Sequence, residues 1–159
     1  MTTLYDTDFY GWAIDQAEAL REAARLDLNT PKTLDWENLA EEIESLARSD
    51  ARELSSRYRQ LLMHLLKWEY QPDRRSVSWL TSIERQRIEI EKLLEESPSL
   101  EAKLPGIYER AYRDARRLAV RQTRLPAGTF PETCPFTIEQ AMDPDFPPPE
   151  ESPAPRRRT

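Results

Sequence analysis

One apolar stripe constrains this chain more than any other feature. Trp36, Leu39, Ile43, Leu46, Leu54, Leu61, Leu65 and Trp68 recur at helical spacing between an aspartate, Asp35, and a proline, Pro72. Asp35 suits an N-cap, because its carboxylate can accept the free N–H groups of the first turn. It also places Leu34 and Leu39 where a hydrophobic staple puts its two partners. Pro72 lacks a backbone N–H and disfavours helix in the residue before it, so the helix stops near Tyr70. Uninterrupted, it spans about 50 Å at ~1.5 Å per residue. Asp50-Ala51-Arg52-Glu53 reads as an internal capping box, and the expectation is one long helix, bent there if anywhere. A strand pattern does not compete. Glycines number only three, valine is scarce, and Leu, Ala, Glu and Arg lose little freedom in a helix.

Three further main helices follow from the same reasoning. The first spans about Asp8 to Arg25, started by Asp6 or Asp8, with Phe9, Trp12, Ala13, Gln16, Leu20 and Ala24 on its apolar face. A loop from Asp27 to Leu34 follows it. After a turn from Gln71 to Arg75, the third runs from about Ser76 to Glu96 with Leu80, Ile83, Ile90 and Leu94 inward, antiparallel to the second. Ser97-Pro98 restarts the chain, and the fourth reaches about Arg124 with Tyr108, Ala111, Tyr112, Ala115, Leu118 and Ala119 inward. Pro105-Gly106 should kink it or split off its first turns. Thr137-Ile138-Glu139-Gln140 is a capping-box pattern for one short helix to about Met142. The expected architecture is all-α, an antiparallel bundle of about four main helices in one domain over residues 1–146. Residues 147–159, rich in proline and ending in Arg156-Arg157-Arg158, are too poor in apolar side chains to fold and form a disordered tail.

Charge is small overall and uneven along the chain. The formal net charge of −6 argues against a dedicated nucleic-acid binder. From Asp35 to Glu53 seven acids face two arginines, whereas from Ile107 to Arg124 six arginines face two acids. The single cysteine, Cys134, excludes an internal disulfide and a cysteine metal cluster. The first residues lack the basic and apolar regions of a signal peptide, and no uncharged apolar run approaches the ~18 residues of a membrane span. The expectation is a cytoplasmic protein with no membrane association.

Two residue sets carry candidate chemistry. Asp50, Arg57 and His64, the only histidine, step by seven along the long helix and lie beside its apolar stripe. Around the following turn, Trp68, Tyr70, Arg74, Arg75 and Trp79 bring aromatic and cationic groups together. His64, Trp68, Tyr70, Arg74, Trp79, Asp50 and Arg57 thus form a candidate ligand pocket. The competing reading is a set of satisfied polar groups that fix register in a packed seam. No catalytic residue is assigned, because no nucleophile or positioned carboxylate stands beside His64 in the pattern. A di-metal bundle site needs Glu-x-x-His on two helices; Leu61 occupies the i−3 position here, and Glu41 and Glu44 fit a solvated acidic face better than a cation site. No metal and no cofactor is expected.

The second set is the sharper one. Arg110, Arg113, Arg117, Arg121 and Arg124 step by 3, 4, 4 and 3, which puts all five on one helix face opposite the tyrosines. Such a file can track phosphates. It can equally pair with acidic surface on the same chain, on a second copy or on another protein.

Several motifs in order resemble a known family. They are Tyr5-Asp6-Thr7-Asp8-Phe9-Tyr10-Gly11-Trp12, Asp35-Trp36-Glu37-Asn38-Leu39-Ala40-Glu41-Glu42-Ile43-Glu44 and Leu62-Met63-His64-Leu65-Leu66-Lys67-Trp68-Glu69-Tyr70-Gln71-Pro72. Ser78-Trp79, Tyr112-Arg113-Asp114-Ala115-Arg116 and Phe130-Pro131-Glu132-Thr133-Cys134-Pro135-Phe136 complete the set. Over roughly Leu4 to Phe146 the chain resembles the bacterial helical family catalogued as domain of unknown function number twenty-nine. The resemblance implies a compact cytosolic α-helical bundle and brings no activity, cofactor or catalytic residue. Three function classes stay open: a non-enzymatic interaction protein that self-associates or docks a protein partner through charged helix faces, a nucleic-acid-associated protein using the arginine file, and a small-ligand binder or enzyme with a pocket near His64.

Overall fold

The computed structural model describes residues 2–26 and 31–147. Most of the expected tail, including Arg156-Arg157-Arg158, and residues 27–30 of the loop after the first helix lie outside the described residues. Among those described there is helix and no strand, in the order α1 (Leu4–Thr7), α2 (Phe9–Leu26), α3 (Trp36–Tyr70), α4 (Val77–Glu96), α5 (Leu104–Thr123) and α6 (Ile138–Met142). Short 3-10 turns occupy Pro72–Arg74, Pro98–Lys103 and Ala127–Thr129. The chain divides into two compact units, Met1–Leu54 with Glu91–Leu104 and Ser55–Ile90 with Pro105–Thr159, so α3 and α4 each contribute residues to both.

The long second helix is present as one element of 35 residues, unbroken at Asp50. Asp35 caps it, its Oδ1 accepting from Asn38 N at 3.2 Å. The buried seam differs from the expected stripe in the first half. Leu39 and Leu46 are 41% and 48% exposed, while Ala40 and Ala47 are fully buried. The seam therefore runs Ala40, Ala47, Leu54, Leu61, Trp68 in steps of seven. Reading the bulky residues as the inward face missed this, because in this half of the helix the buried positions are the alanines and the leucine one position before each turns outward.

In the first unit, Asp6 and Asp8 divide the work that a single cap was expected to do. Asp6 accepts from Thr3 N at 3.0 Å and closes the short α1, while Asp8 accepts from Gly11 N at 3.3 Å and starts α2. Asp8 Oδ1 also accepts from Ser99 N at 3.3 Å and Ser99 Oγ at 2.9 Å. A Cβ on Gly11 would collide with the Asp8 carboxylate and crowd Ser99 Oγ at 3.3 Å, so this glycine is where a side chain would displace the cap. Along α2 the buried positions are Ala13 and Ala17; Gln16, expected inward, is exposed. Ser97 is buried, accepting from Tyr10 N at 3.1 Å and donating to Asp50 Oδ2 at 3.3 Å.

The second unit buries Tyr58, Leu61, Leu62, Leu65, Leu66 and Trp68 of α3, Ile83 and Ile90 of α4, and Ile107, Tyr108, Ala111, Tyr112, Ala115 and Ala119 of α5. Proline and glycine at 105–106 leave α5 intact; the expected split falls two residues earlier, at the 3-10 turn ending at Lys103. The segment after α5, which reads as loop, packs as core. Phe130, Phe136 and Ala141 are buried, and side chains one helical turn apart on α5 bind its carbonyls. Tyr108 Oη donates to Phe136 O at 2.8 Å, Tyr112 Oη to Pro131 O, and Arg116 Nε and Nη2 to Phe130 O and Ala127 O at 3.0 and 2.9 Å. From α4, Arg87 Nε donates to Ala141 O at 2.8 Å and Nη2 to Phe146 O at 2.6 Å. A short helix and its flanks are thereby held by charged and phenolic donors, which answers the demand that buried carbonyls find partners.

Candidate functional site

The residues of the candidate pocket around His64 have separate engagements. Asp50 is bound to Ser97 in the first unit, and burial raises its carboxyl above the ordinary range. Arg57 lies in the second unit, with its Nη1 3.5 Å from Gln86 Oε1. His64 Nδ1 is 2.8 Å from the carbonyl of Gln60, which selects the tautomer with the proton on Nδ1. Burial lowers the His64 pKa, and the Lys67 charge pushes the same way, so the ring stays neutral around pH 7. Asp50, Arg57 and His64 thus each have a partner, whereas the indole Nε1 of Trp68 is buried without one.

At the turn after α3 the expected cation–aromatic contacts form through Arg75, as the sequence suggests, and through Lys67 in place of Arg74. Arg75 lies 5.1 Å from the Trp68 ring and donates from Nε to Trp68 O at 2.8 Å. Lys67 Nζ sits 4.7 Å over the Trp79 ring and donates to Gln122 Oε1 at 3.2 Å. Tyr70 packs edge-on against Phe130 at 5.4 Å, and Arg74 is exposed at the 3-10 turn. These contacts close the corner as packing. None of the seven residues lines the large cleft described next.

That cleft, about 840 Å³, lies in the second unit. Its walls are Arg59 and Gln60 of α3, Asp114, Arg116, Arg117, Leu118, Val120 and Arg121 of α5, and Ala127 of the following turn. Four arginines line it against one aspartate. Arg117 and Arg121 belong to the arginine file, and all five members of the file, Arg110, Arg113, Arg117, Arg121 and Arg124, are exposed. None of the five has an ion-pair partner among the described residues. Two acids of α3 pair within the first unit: Glu44 with Arg21 at 2.5 Å, and Glu41 with Arg48 at 2.6 Å.

Arg59 and Arg116 complete the site, and the sequence pattern did not single them out. Arg116 falls one position off the file, and Arg59 comes from a different helix. Arg116 is fixed by its two carbonyl bonds, and Arg59 by donation from Nη2 to Ser56 Oγ at 3.1 Å. Arg59 Nε is sealed from water with no hydrogen-bond partner. Only the charge excess of residues 107–124 hinted at a basic site.

No group of three or more His, Cys, Asp or Glu side chains able to hold a metal occurs among the described residues. Cys134 is half-buried, and burial raises its thiol pKa, which leaves it protonated and weakly nucleophilic. Burial also lifts the Tyr112 phenol to about 12 and the Tyr108 phenol well above the ordinary value, so both act as hydrogen-bond donors. No described helix is long and apolar enough to cross a membrane.

Fold and site together define an all-α protein with an arginine-lined cleft between residues of α3, α5 and the turn after it. The chain belongs to the family described as Domain of unknown function DUF29, which matches residues 4–147. It is similar to an α-helical protein of unknown function from Rhodospirillum rubrum, whose crystal structure superposes with a TM-score of 0.66 at 26% identity, covering 92% of this chain and 93% of that one. No curated protein matches the chain.

Proposed function

We propose that this is a cytosolic, non-enzymatic interaction protein that docks an acidic protein surface, of a second copy or of another protein, through the basic face of α5. One observation carries the reading: five exposed arginines share a helix face and have no ion-pair partner among the described residues. Guanidinium groups placed within a turn of each other repel, and an opposing carboxylate surface relieves that repulsion. The overall charge of −6 argues against a dedicated nucleic-acid binder, which needs a broadly basic surface.

Light scattering after size exclusion, at about 50 mM and about 500 mM salt, reads self-association across the range where screening changes most. Titration with a labelled polyglutamate peptide and with a duplex DNA of equal charge reads the preferred partner. The expected result is salt-sensitive association or peptide binding that is lost in Arg110→Glu/Arg113→Glu. A strict monomer at both salt concentrations that ignores the peptide would sink the proposal. Tighter binding of the duplex than of the peptide would transfer the face to nucleic acid.

A further inference from the structure

We propose that the cleft bounded by Arg59, Arg116, Arg117 and Arg121 is a binding site for a small ligand carrying two or more phosphate groups. The site goes beyond the docking face but shares Arg117 and Arg121 with it, and in that part rests on the same unpaired charge.

Charge comes first. Four guanidinium groups against the single Asp114 carboxylate leave an excess that one monoanion does not balance. Asp114 has no ion-pair partner among the described residues, so it does not neutralise a neighbouring arginine by direct contact. The geometry then selects the ligand. Arg59 comes from α3, whereas Arg116, Arg117 and Arg121 come from α5. A carboxylate presents two oxygens in one plane, whereas a phosphate presents oxygens in three directions and so meets arginines that approach from different helices.

Two of the arginines are already positioned. Arg116 is held by the Phe130 and Ala127 carbonyls, and Arg59 by Ser56. Little side-chain freedom remains to be lost when an anion arrives. Arg59 is also the under-satisfied member, half-buried, with Nε unpartnered and no carboxylate within ion-pair range. A guanidinium in that position raises the free energy of the fold unless an anion compensates it. Size and lining agree: about 840 Å³ suits a metabolite-sized ligand, and Leu118, Val120 and Ala127 offer an apolar wall beside the Gln60 amide.

The test is calorimetric titration of the full chain with inorganic tripolyphosphate, and with citrate as a carboxylate comparator, at about 150 mM salt. One-to-one binding of tripolyphosphate is expected, at least about tenfold tighter than citrate. Arg117→Gln/Arg121→Gln should weaken it by at least about tenfold, since each exposed arginine supplies a charge-assisted hydrogen bond. Arg110→Gln/Arg113→Gln, on the same face but outside the cleft, should change it less than about twofold. Arg59→Lys keeps the charge without the fork and should weaken it as well. Absence of tripolyphosphate binding at millimolar concentration overturns the proposal. So does an equal loss in both glutamine pairs, the mark of diffuse attraction, and so does citrate binding as tightly as tripolyphosphate. Failure of polyglutamate docking alone leaves the cleft standing, and failure of tripolyphosphate alone leaves docking standing.

Discussion

Replacing Arg87 with methionine should loosen the segment around α6 and destabilise the second unit by about 2–4 kcal/mol. The Arg87 side chain is 5% exposed, and its donors hold the carbonyls of Ala141 and Phe146 at 2.8 and 2.6 Å. Hydrogen bonds from a charged donor contribute roughly 1.5–3 kcal/mol each, so losing two removes about 3–6 kcal/mol. Part of this returns, because methionine no longer requires a guanidinium to be taken out of water. Glu84 adds little, since its carboxylate is 56% exposed and 3.8 Å away. For a chain of this length the net loss lowers Tm by roughly 5–12 °C. Thermal and urea unfolding followed by circular dichroism would measure it, with amide exchange over residues 137–147 reporting where the loosening occurs. Arg87→Lys, a point charge able to reach one carbonyl, should lie about midway. If Arg87→Met unfolds within about 0.5 kcal/mol of the parent, the two carbonyls are satisfied by other means and the clamp is no clamp.

Two further outcomes follow from the geometry. Gly11→Ala should destabilise by about 1 kcal/mol in urea titration even though alanine is the better helix former, because its Cβ displaces the Asp8 carboxylate that caps α2 and binds Ser99. A variant as stable as the parent would show that Asp8 repositions without loss. His64 has a lowered pKa from burial, so below its ordinary value of 6.5 the unfolded chain binds the proton more readily than the fold. Stability contributed by the neutral ring is therefore complete above about 6.5 and declines as pH falls toward the depressed folded value. The difference between parent and His64→Gln should carry that slope; a difference flat from about pH 7 to 5 would contradict it.

Much of the fold was legible because helix signals are local. Asp35 and Pro72 mark their helix within a residue or two, and the Tyr108–Ala119 stripe predicted the buried face of α5. The outward turn of Leu39 and Leu46 was not legible, since hydrophobicity does not tell which of two adjacent faces, one lined by alanine and one by leucine, a neighbour approaches. The arginine file was legible for the same reason as the helices: its spacing depends on one element. Arg59 was not, because the cleft it shares with Arg117 joins two helices, and no spacing along one helix encodes that.

The sequence by itself determined the main helices, the Asp35 cap and the Pro72 stop of the longest one, and a basic face on α5. All of these are set by neighbours within a few residues, where backbone preference and periodicity act. Tertiary structure alone decided that the segment after α5 is core, because the carbonyls it presents to Arg87, Tyr108, Tyr112 and Arg116 come from residues 11 to 59 positions away. It also decided that Arg59 joins Arg116, Arg117 and Arg121 around one cleft that His64 does not line. Burial, hydrogen-bond satisfaction and unbalanced charge are properties of groups brought together across the chain, and they exist only once it has folded.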